Sequence, residues 1–529
     1  MRRIDPVFAR LSVAFVGLSL LALQGLVRGQ TDGTCQPAWL PEFGSFGAGN
    51  VINAIAIFDD GSGPALYAAG SFTTAGGVPA SNIARWNDPG WSALGSGTDG
   101  VVSALTVFDD GSGPALYAGG AFTHAGGGVA QHVAKWNGST WSALAGGVSG
   151  GVNPTVIALA VFDDGSGPAL QVGGLFTTAG AIAAANVASW NGTNWSTLGS
   201  GTDAIVRSFL AFDDGGGPAL YVGGEFTHGG GVPMNRVGTW DGASWSALGG
   251  GVADGGALGT SVKAIEAFDD GGGPAIYVGG GFTTAGGAPA FHIARWNGTS
   301  WSALGMGFEK QVFTITVYDD GSGPALYAGG TFTTAGGGPL HSLAKWNGLA
   351  WSALGGGVSG GALPFVNALE VFDDGSGPSL FAGGNFSSSP AGDSAIAKWG
   401  GCAAPPNPWA DLGSGLAGVS GIPQLAGVGD LVAGTPGSLA LASAAPSAPC
   451  ALFLSTANTP TPFKGGTLLT VPILFTLPLA TDSLGGILLP WSAWPSGLSG
   501  VSLFFQFGIQ DAAAVKSIAL SNALGVDVP

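Results

Sequence analysis

The chain has 529 residues and a formal net charge of −17, yet only 9% of it is charged and 99 positions are glycine. An acidic chain with no basic run is a poor partner for nucleic acid or an anionic lipid surface. The length exceeds what one compact core supports, and 46% hydrophobic residues with 17 Trp argue against disorder, which leaves a turn-rich, repetitive β protein.

The N-terminus carries Arg2, Arg3 and Arg10 before an uncharged run from Leu11 to Val27, the pattern of a secretory signal peptide over residues 1–29. Export is therefore expected, to the extracellular space or the cell surface. No later segment reads as a membrane span, because the apolar stretch 471–490 is broken by Pro472, Pro478 and Asp482. Export also permits disulfides. Cys35 and Cys402 flank the repetitive region and are the candidate pair, with Cys402–Cys450 or no bridge as alternatives.

Residues 30–413 are organised by seven near-copies of Phe-Asp-Asp-Gly-Ser-Gly-Pro-Ala-Leu-Tyr. The steps between the Asp pairs are 50, 54, 50, 56, 50 and 54 residues, a period that marks a repeat architecture. Within one repeat, Val101–Phe108 reads as a strand, 109–114 as a turn, Ala115–Gly119 as a second strand and His132–Trp136 as a third. Asn137-Gly138 then signals a hairpin turn, and Trp141–Leu144 closes the unit as a fourth strand. Four antiparallel strands per repeat predict a propeller blade, and seven repeats a seven-bladed β-propeller.

Six Trp pairs stand five residues apart (86/91, 136/141, 190/195, 240/245, 296/301, 346/351), which places each pair opposite one another across a hairpin. A seventh, Trp399 and Trp409, is spread by an insertion, and Trp409–Gly413 is expected to complete the last blade. Trp39–Gly44 reads as an eighth copy of the same strand, placed before the first blade and overlapping the seam. The Gly-Gly-x-Phe step predicts close backbone approach with Phe between blades. Antiparallel order puts the Asp and Asn-Gly turns on one face. The Phe-Thr loops and the connectors, longer after repeats 2, 4 and 6, fall on the other, where a binding surface is expected.

At Gly-Gly-x-Phe-Thr, Ala-Lys-Trp-Asn-Gly and Trp-Ser-Ala-Leu-Gly the chain resembles Kelch-type propeller repeats over roughly residues 45–415, and is most similar to those of the fungal cortical cell-polarity marker family. Similar arrays belong to exported proteins of planctomycete-like bacteria. The resemblance implies a propeller and no catalytic set, because the matching residues are packing and turn residues.

Residues 414–450, rich in Gly, Ala, Ser and Pro, read as a linker. Beyond them, Val501, Leu503, Phe505, Phe507 and Ile509 alternate with the residues between, which marks a strand with one buried face. Residues 451–529 are thus expected to form a small β-sandwich-like domain, similar to modules that end planctomycete-like secreted proteins and implying surface retention.

The candidate site residues are the Asp pairs themselves: Asp59, Asp60, Asp109, Asp110, Asp163, Asp164, Asp213, Asp214, Asp269, Asp270, Asp319, Asp320, Asp373 and Asp374. As ligands they would hold Ca²⁺, which takes six to eight oxygens; as turn caps they need no metal. The five histidines occupy repeat positions and form no metal spacing or nucleophile pair. No catalytic residue is identified and no cofactor beyond possible Ca²⁺ is called for. The expected function is a non-catalytic binding or scaffold protein for a glycan or an extracellular protein, with a secreted polysaccharide-acting enzyme as the alternative.

Overall fold

In a computed structural model the chain is all-β and propeller-like, with none of the described residues in an α-helix. The structure describes residues 37–400 except 44–50, 88–89, 255–258, 336–337 and 362, and the greater part of 409–527. The expected signal peptide and both Cys35 and Cys402 lie outside the described residues. The chain divides into two compact units, Cys35–Ala403 and Ala404–Pro529.

Among the described residues the first unit holds seven four-stranded antiparallel sheets, one per repeat. The first consists of Val51–Asp59, Pro64–Ser71, Ile83–Asn87 and Gly90–Ala93, in that spatial order. The inner strands (Val51–Asp59, Val102–Asp109, Thr155–Asp163, Val206–Asp213, Ser261–Asp269, Val312–Asp319 and Phe365–Asp373) each pack against the next, and the last packs against the first. The core is therefore a set of layers between successive sheets, filled by Phe122, Phe176, Phe226, Phe282 and Phe332 from the Gly-Gly-x-Phe step.

The two glycines of that step have different reasons. A Cβ at the second would stand 2.1 Å from the Val101 carbonyl oxygen at Gly120, and 2.1 Å from that of Thr155 at Gly174. A Cβ at the first would stand 2.3 Å from Val156 Cγ1 of the following sheet at Gly119. One glycine thus lets two strands of a sheet close up, and the other lets two sheets close up. In all seven sheets the inner strand carries a register shift opposite this step, for example between Ile52 and Ala54, so one extra residue bulges out there.

The seventh sheet departs from the sequence expectation. Its outer strand is Ala38–Leu40, with Trp39 opposite Trp399. Trp409–Asp411 instead pairs with Leu524–Asp527 in the second unit. Trp39 and Trp399 meet edge to face with ring centroids 5.3 Å apart, a separation like that of the more tilted hairpin pairs, 5.4 Å for Trp136 and Trp141. Phe43 then packs on Trp86 and Phe381 and bridges the last sheet to the first. The strand from the start of the chain closes the ring because the insertion after Trp399 removes the short hairpin that supplies the fourth strand in every other repeat.

The second unit contains a sheet of Trp409–Asp411, Leu524–Asp527, Ser502–Gln510, Pro449–Ser455 and Phe475–Ala480, with Ile518–Leu520 also on Ser502–Gln510. A three-stranded sheet of Gln424–Val428, Gly437–Ala442 and Ile487–Trp491 shares its core. Leu503, Phe505, Phe507 and Ile509 are buried there, as the alternation predicts. The expected linker is not one: Leu425, Leu439 and Leu441 within it are core residues. Its low charge reflects burial of small-residue strands. Cys450 is a free thiol in this core, and burial pushes its pKa up to about 11.

Ring closure by the N-terminal strand predicts unequal effects of two similar substitutions. Trp39→Ala should lower the stability of the ring by about 3–5 kcal/mol, whereas Trp409→Ala should leave the ring transition unmoved. Denaturant unfolding followed by tryptophan fluorescence and near-UV circular dichroism checks this.

Candidate functional site

The Asp turns occupy one end of the inner strands. In the first sheet Asp59 Oδ1 accepts the N–H groups of Gly61 and Gly63 at 2.8 and 2.9 Å. Both glycines have positive φ, which the tight turn requires. Asp60 has a different role. Its Oδ1 accepts from Ser62 and its Oδ2 from the Tyr67 hydroxyl, with Arg85 Nε 3.5 Å away. Lys135, Arg295, Lys345 and Lys398 take the Arg85 position beside Asp110, Asp270, Asp320 and Asp374. Burial opposes ionisation of Asp110, but hydrogen bonds from Lys135, Ser112 and Tyr117 outweigh it and hold the carboxyl below its ordinary range.

These contacts recur through the fourteen aspartates named as Ca²⁺ candidates. The first Asp of each turn caps backbone N–H groups, in Asp109, Asp163, Asp213, Asp269, Asp319 and Asp373 as in Asp59. The second bonds the serine or glycine two residues on, in Asp164 and Asp214 as well. The bonded oxygens face N–H and O–H donors and, in five of the seven sheets, a basic side chain, which is how a turn cap is held. Among the described residues no three His, Cys, Asp or Glu side chains are grouped to hold a metal. The third and fourth sheets lack the basic partner, with Ser189 and Thr239 in its place, and a cavity of 630 Å³ opens there beside Asp164, Asp214 and Asp241.

His124 and His228 begin short two-residue strands, and His132 and His292 sit just before a third strand. His124 Nδ1 lies 2.9 Å from Asp99 Oδ2, and the same carboxylate accepts the N–H groups of Thr123 and His124. His228 and Asp203 repeat this arrangement. His132 and His292 hold the left-handed position that every sheet has before its third strand, with φ of 64° and 63°. Burial lowers the pKa of both.

The other end of the inner strands holds what the sequence reading missed. The bulged residue of each strand lines one cavity of 460 Å³ at the axis: Asn53, Ser103, Ile157, Arg207, Lys263, Phe313 and Asn367. Its neighbours hardly vary. The preceding residue is Ile52 once and Val six times, and the following one is Ala, Ser or Thr throughout. No motif search finds such a position, because it is defined by difference between repeats; aligning the seven copies column by column would have exposed it.

Arg207 donates from Nε and Nη2 to Glu225 Oε1 at 2.8 and 2.5 Å. Lys263 Nζ donates to Gln311 Oε1 at 2.7 Å and sits 4.1 Å from the Phe313 ring centroid. Burial, then repulsion from Arg207, brings the Lys263 pKa down to about 8 against the opposing pull of Glu225. Asn367 Nδ2 donates to Asn53 Oδ1 at 3.0 Å, and Asn53 Nδ2 to the Val102 carbonyl at 3.1 Å. Three residues further along the inner strands, burial pushes Glu266 and Glu370 up to about 7, Glu370 also feeling the charge of Glu266.

No family model matches the chain, and no curated protein matches it. Among solved structures it is similar to a fungal alcohol oxidase of the AA5 family in complex with copper, at 11% identity and a TM-score of 0.31, over 93% of this chain and 98% of that one.

The raised Glu266 and Glu370 pKa values fix a pH trend. The folded state binds these protons more tightly than the unfolded chain does. Their contribution to stability is therefore full below pH about 4.5 and declines as the pH rises to about 7. The Glu266→Gln/Glu370→Gln double variant should lose this decline and gain about 1–3 kcal/mol at pH 8. Denaturant titrations at pH 5 and pH 8 on both proteins check it.

Proposed function

We propose that residues 35–403 form a seven-bladed β-propeller of the Kelch type that the repeat motif resembles, followed by a β-sandwich-like module. We further propose that the protein is exported and acts as a non-catalytic binding or scaffold protein for an extracellular glycan or protein. The ligand surface in this reading is the axial mouth on the connector face.

One observation carries the proposal. The column of bulged residues differs from blade to blade, while the columns on either side of it stay nearly constant. Packing positions in a ring of like units favour sameness, because each meets the same neighbour. A column free to carry amide, hydroxyl, guanidinium, ammonium, aromatic and aliphatic groups is suited to reading a ligand. Binding is favoured over polysaccharide cleavage because hydrolysis needs two carboxylates at the bond, and the described residues lining the mouth include none.

Pairing of Ala38 with Gly400 ends three residues after Cys35 and two before Cys402, which supports a proposed disulfide locking the ring. The C-terminal module is assigned surface retention.

Purified residues 31–529, screened on an array of microbial and algal glycans, should show saturable binding that an Asn53→Ala/Asn367→Ala variant loses at least tenfold. A chelator should leave binding unchanged, since the Asp oxygens already accept from N–H and O–H groups. Absence of binding to any glycan, together with an unaffected variant in a parallel extracellular-protein screen, would overturn the reading.

A further inference from the structure

The mouth is chemically two-sided, and this deepens the binding reading above, on which it rests. Arg207 and Lys263 stand on adjacent sheets, the fourth and fifth. Across the axis, on the seventh and first sheets, Asn367 Nδ2 donates to Asn53 Oδ1 and to the Ile52 carbonyl, and Asn53 Nδ2 donates to the Val102 carbonyl. Among the described residues this leaves Asn367 Oδ1 and one lone pair of Asn53 Oδ1 as acceptors and one Asn53 N–H as a donor, a mixed set that suits hydroxyls, which both donate and accept. Ser208, next to Arg207 and also lining the cavity, is 8% exposed, and its Oγ has no hydrogen-bond partner among the described residues.

We infer that the mouth binds an acidic sugar unit of a glycan, its anionic group held between Arg207 and Lys263 and its hydroxyls directed to the Asn53 and Asn367 side. The anionic group is a carboxylate or a sulfate, both of which suit a guanidinium–ammonium pair. An acidic peptide side chain answers the cationic side alone, whereas a sugar also brings hydroxyls that donate to the Asn oxygens and accept from the Asn53 N–H, so a sugar matches the cavity better.

Two further features agree. Two cations stand in a partly buried place where, among the described residues, Glu225 is the one acid paired with them, inside a protein of net charge −17. Repulsion between them is one reason the Lys263 ammonium is weakened, and a bound anion removes that cost. Glu225 engages Arg207 through one oxygen, leaving Nη1 without a hydrogen bond among the described residues. Phe313 beneath Lys263 gives an apolar surface on which the carbon face of a sugar ring can rest.

Isothermal titration of residues 31–529 with four probes tests this: a tri-uronate, its carboxyl-reduced neutral counterpart, a sulfated trisaccharide and triglutamate. Binding of the tri-uronate or the sulfated sugar, weakened at least tenfold in Arg207→Gln and in Lys263→Met, supports the inference and tells which anion is read. Lys263→Arg should retain most of the affinity, and Glu225→Gln should raise it severalfold by freeing Arg207. Unchanged melting temperatures show that the variants fold. Equal binding of the neutral sugar overturns the inference and leaves the glycan-binding reading standing. Binding of triglutamate as tight as either acidic sugar overturns the sugar assignment. No binding of any probe overturns the inference, while the broader array result judges the binding reading separately.

Discussion

Closure of the ring rests on the outer-strand tryptophans, which work in two directions at once. Each stacks on the Trp of its own third strand, with centroids 5.1 to 5.5 Å apart. In six of the seven sheets its Nε1–H also crosses to the preceding sheet: Trp141 donates to the Leu94 carbonyl, Trp245 to Leu198, Trp301 to Leu248, Trp351 to Leu304 and Trp195 to Ala145. Trp39 donates to Leu354 at 3.0 Å, which is the same bond made by a residue from the other end of the chain. An indole has one donor, and this bond spends it on the neighbouring sheet, so the same side chain ties two sheets together.

With the sheets so fixed, the remaining repeat residues follow. The first glycine admits the Val of the next inner strand, and the second glycine admits the opposing carbonyl and its bulge. That bulge points one side chain per sheet at the axis. Constant packing positions and a variable position are thereby separated along a single strand. The residues on either side of the bulge hold the ring, and the bulged one is released from that duty. The Asp turns at the opposite end are the constant counterpart, with carboxylates that cap N–H groups and accept from hydroxyls of their own sheet.

Much of this was legible in the sequence because it is periodic. The four-strand repeat, the paired tryptophans, the capping role of the first Asp and the two-face arrangement all follow from motif and spacing, as does the buried alternation of Leu503, Phe505, Phe507 and Ile509. Ring closure was not. Trp39 and Trp409 begin equally good copies of the outer strand, and only pairing across the whole unit distinguishes them. The clue was the ten-residue gap between Trp399 and Trp409 where five is the rule, since a hairpin so lengthened no longer enforces its register. The second Asp of each turn was under-read for a related reason: its partners Tyr117 and Lys135 are seven and twenty-five residues away, beyond any local turn signature. The mouth residues were missed because repeat reading looks for sameness, and their signal is variation.

Exchange of the indole N–H protons, followed by NMR in native conditions, tests the central claim most directly. If each outer-strand Trp pins the sheet before it and Trp39 is one of them, its indole proton exchanges at the same free energy as those of Trp141, Trp245 and Trp301, in one cooperative opening of the ring. Faster exchange at Trp39 alone, with the others still protected, would mean that the N-terminal strand opens by itself and that something other than the indole clasp closes the ring.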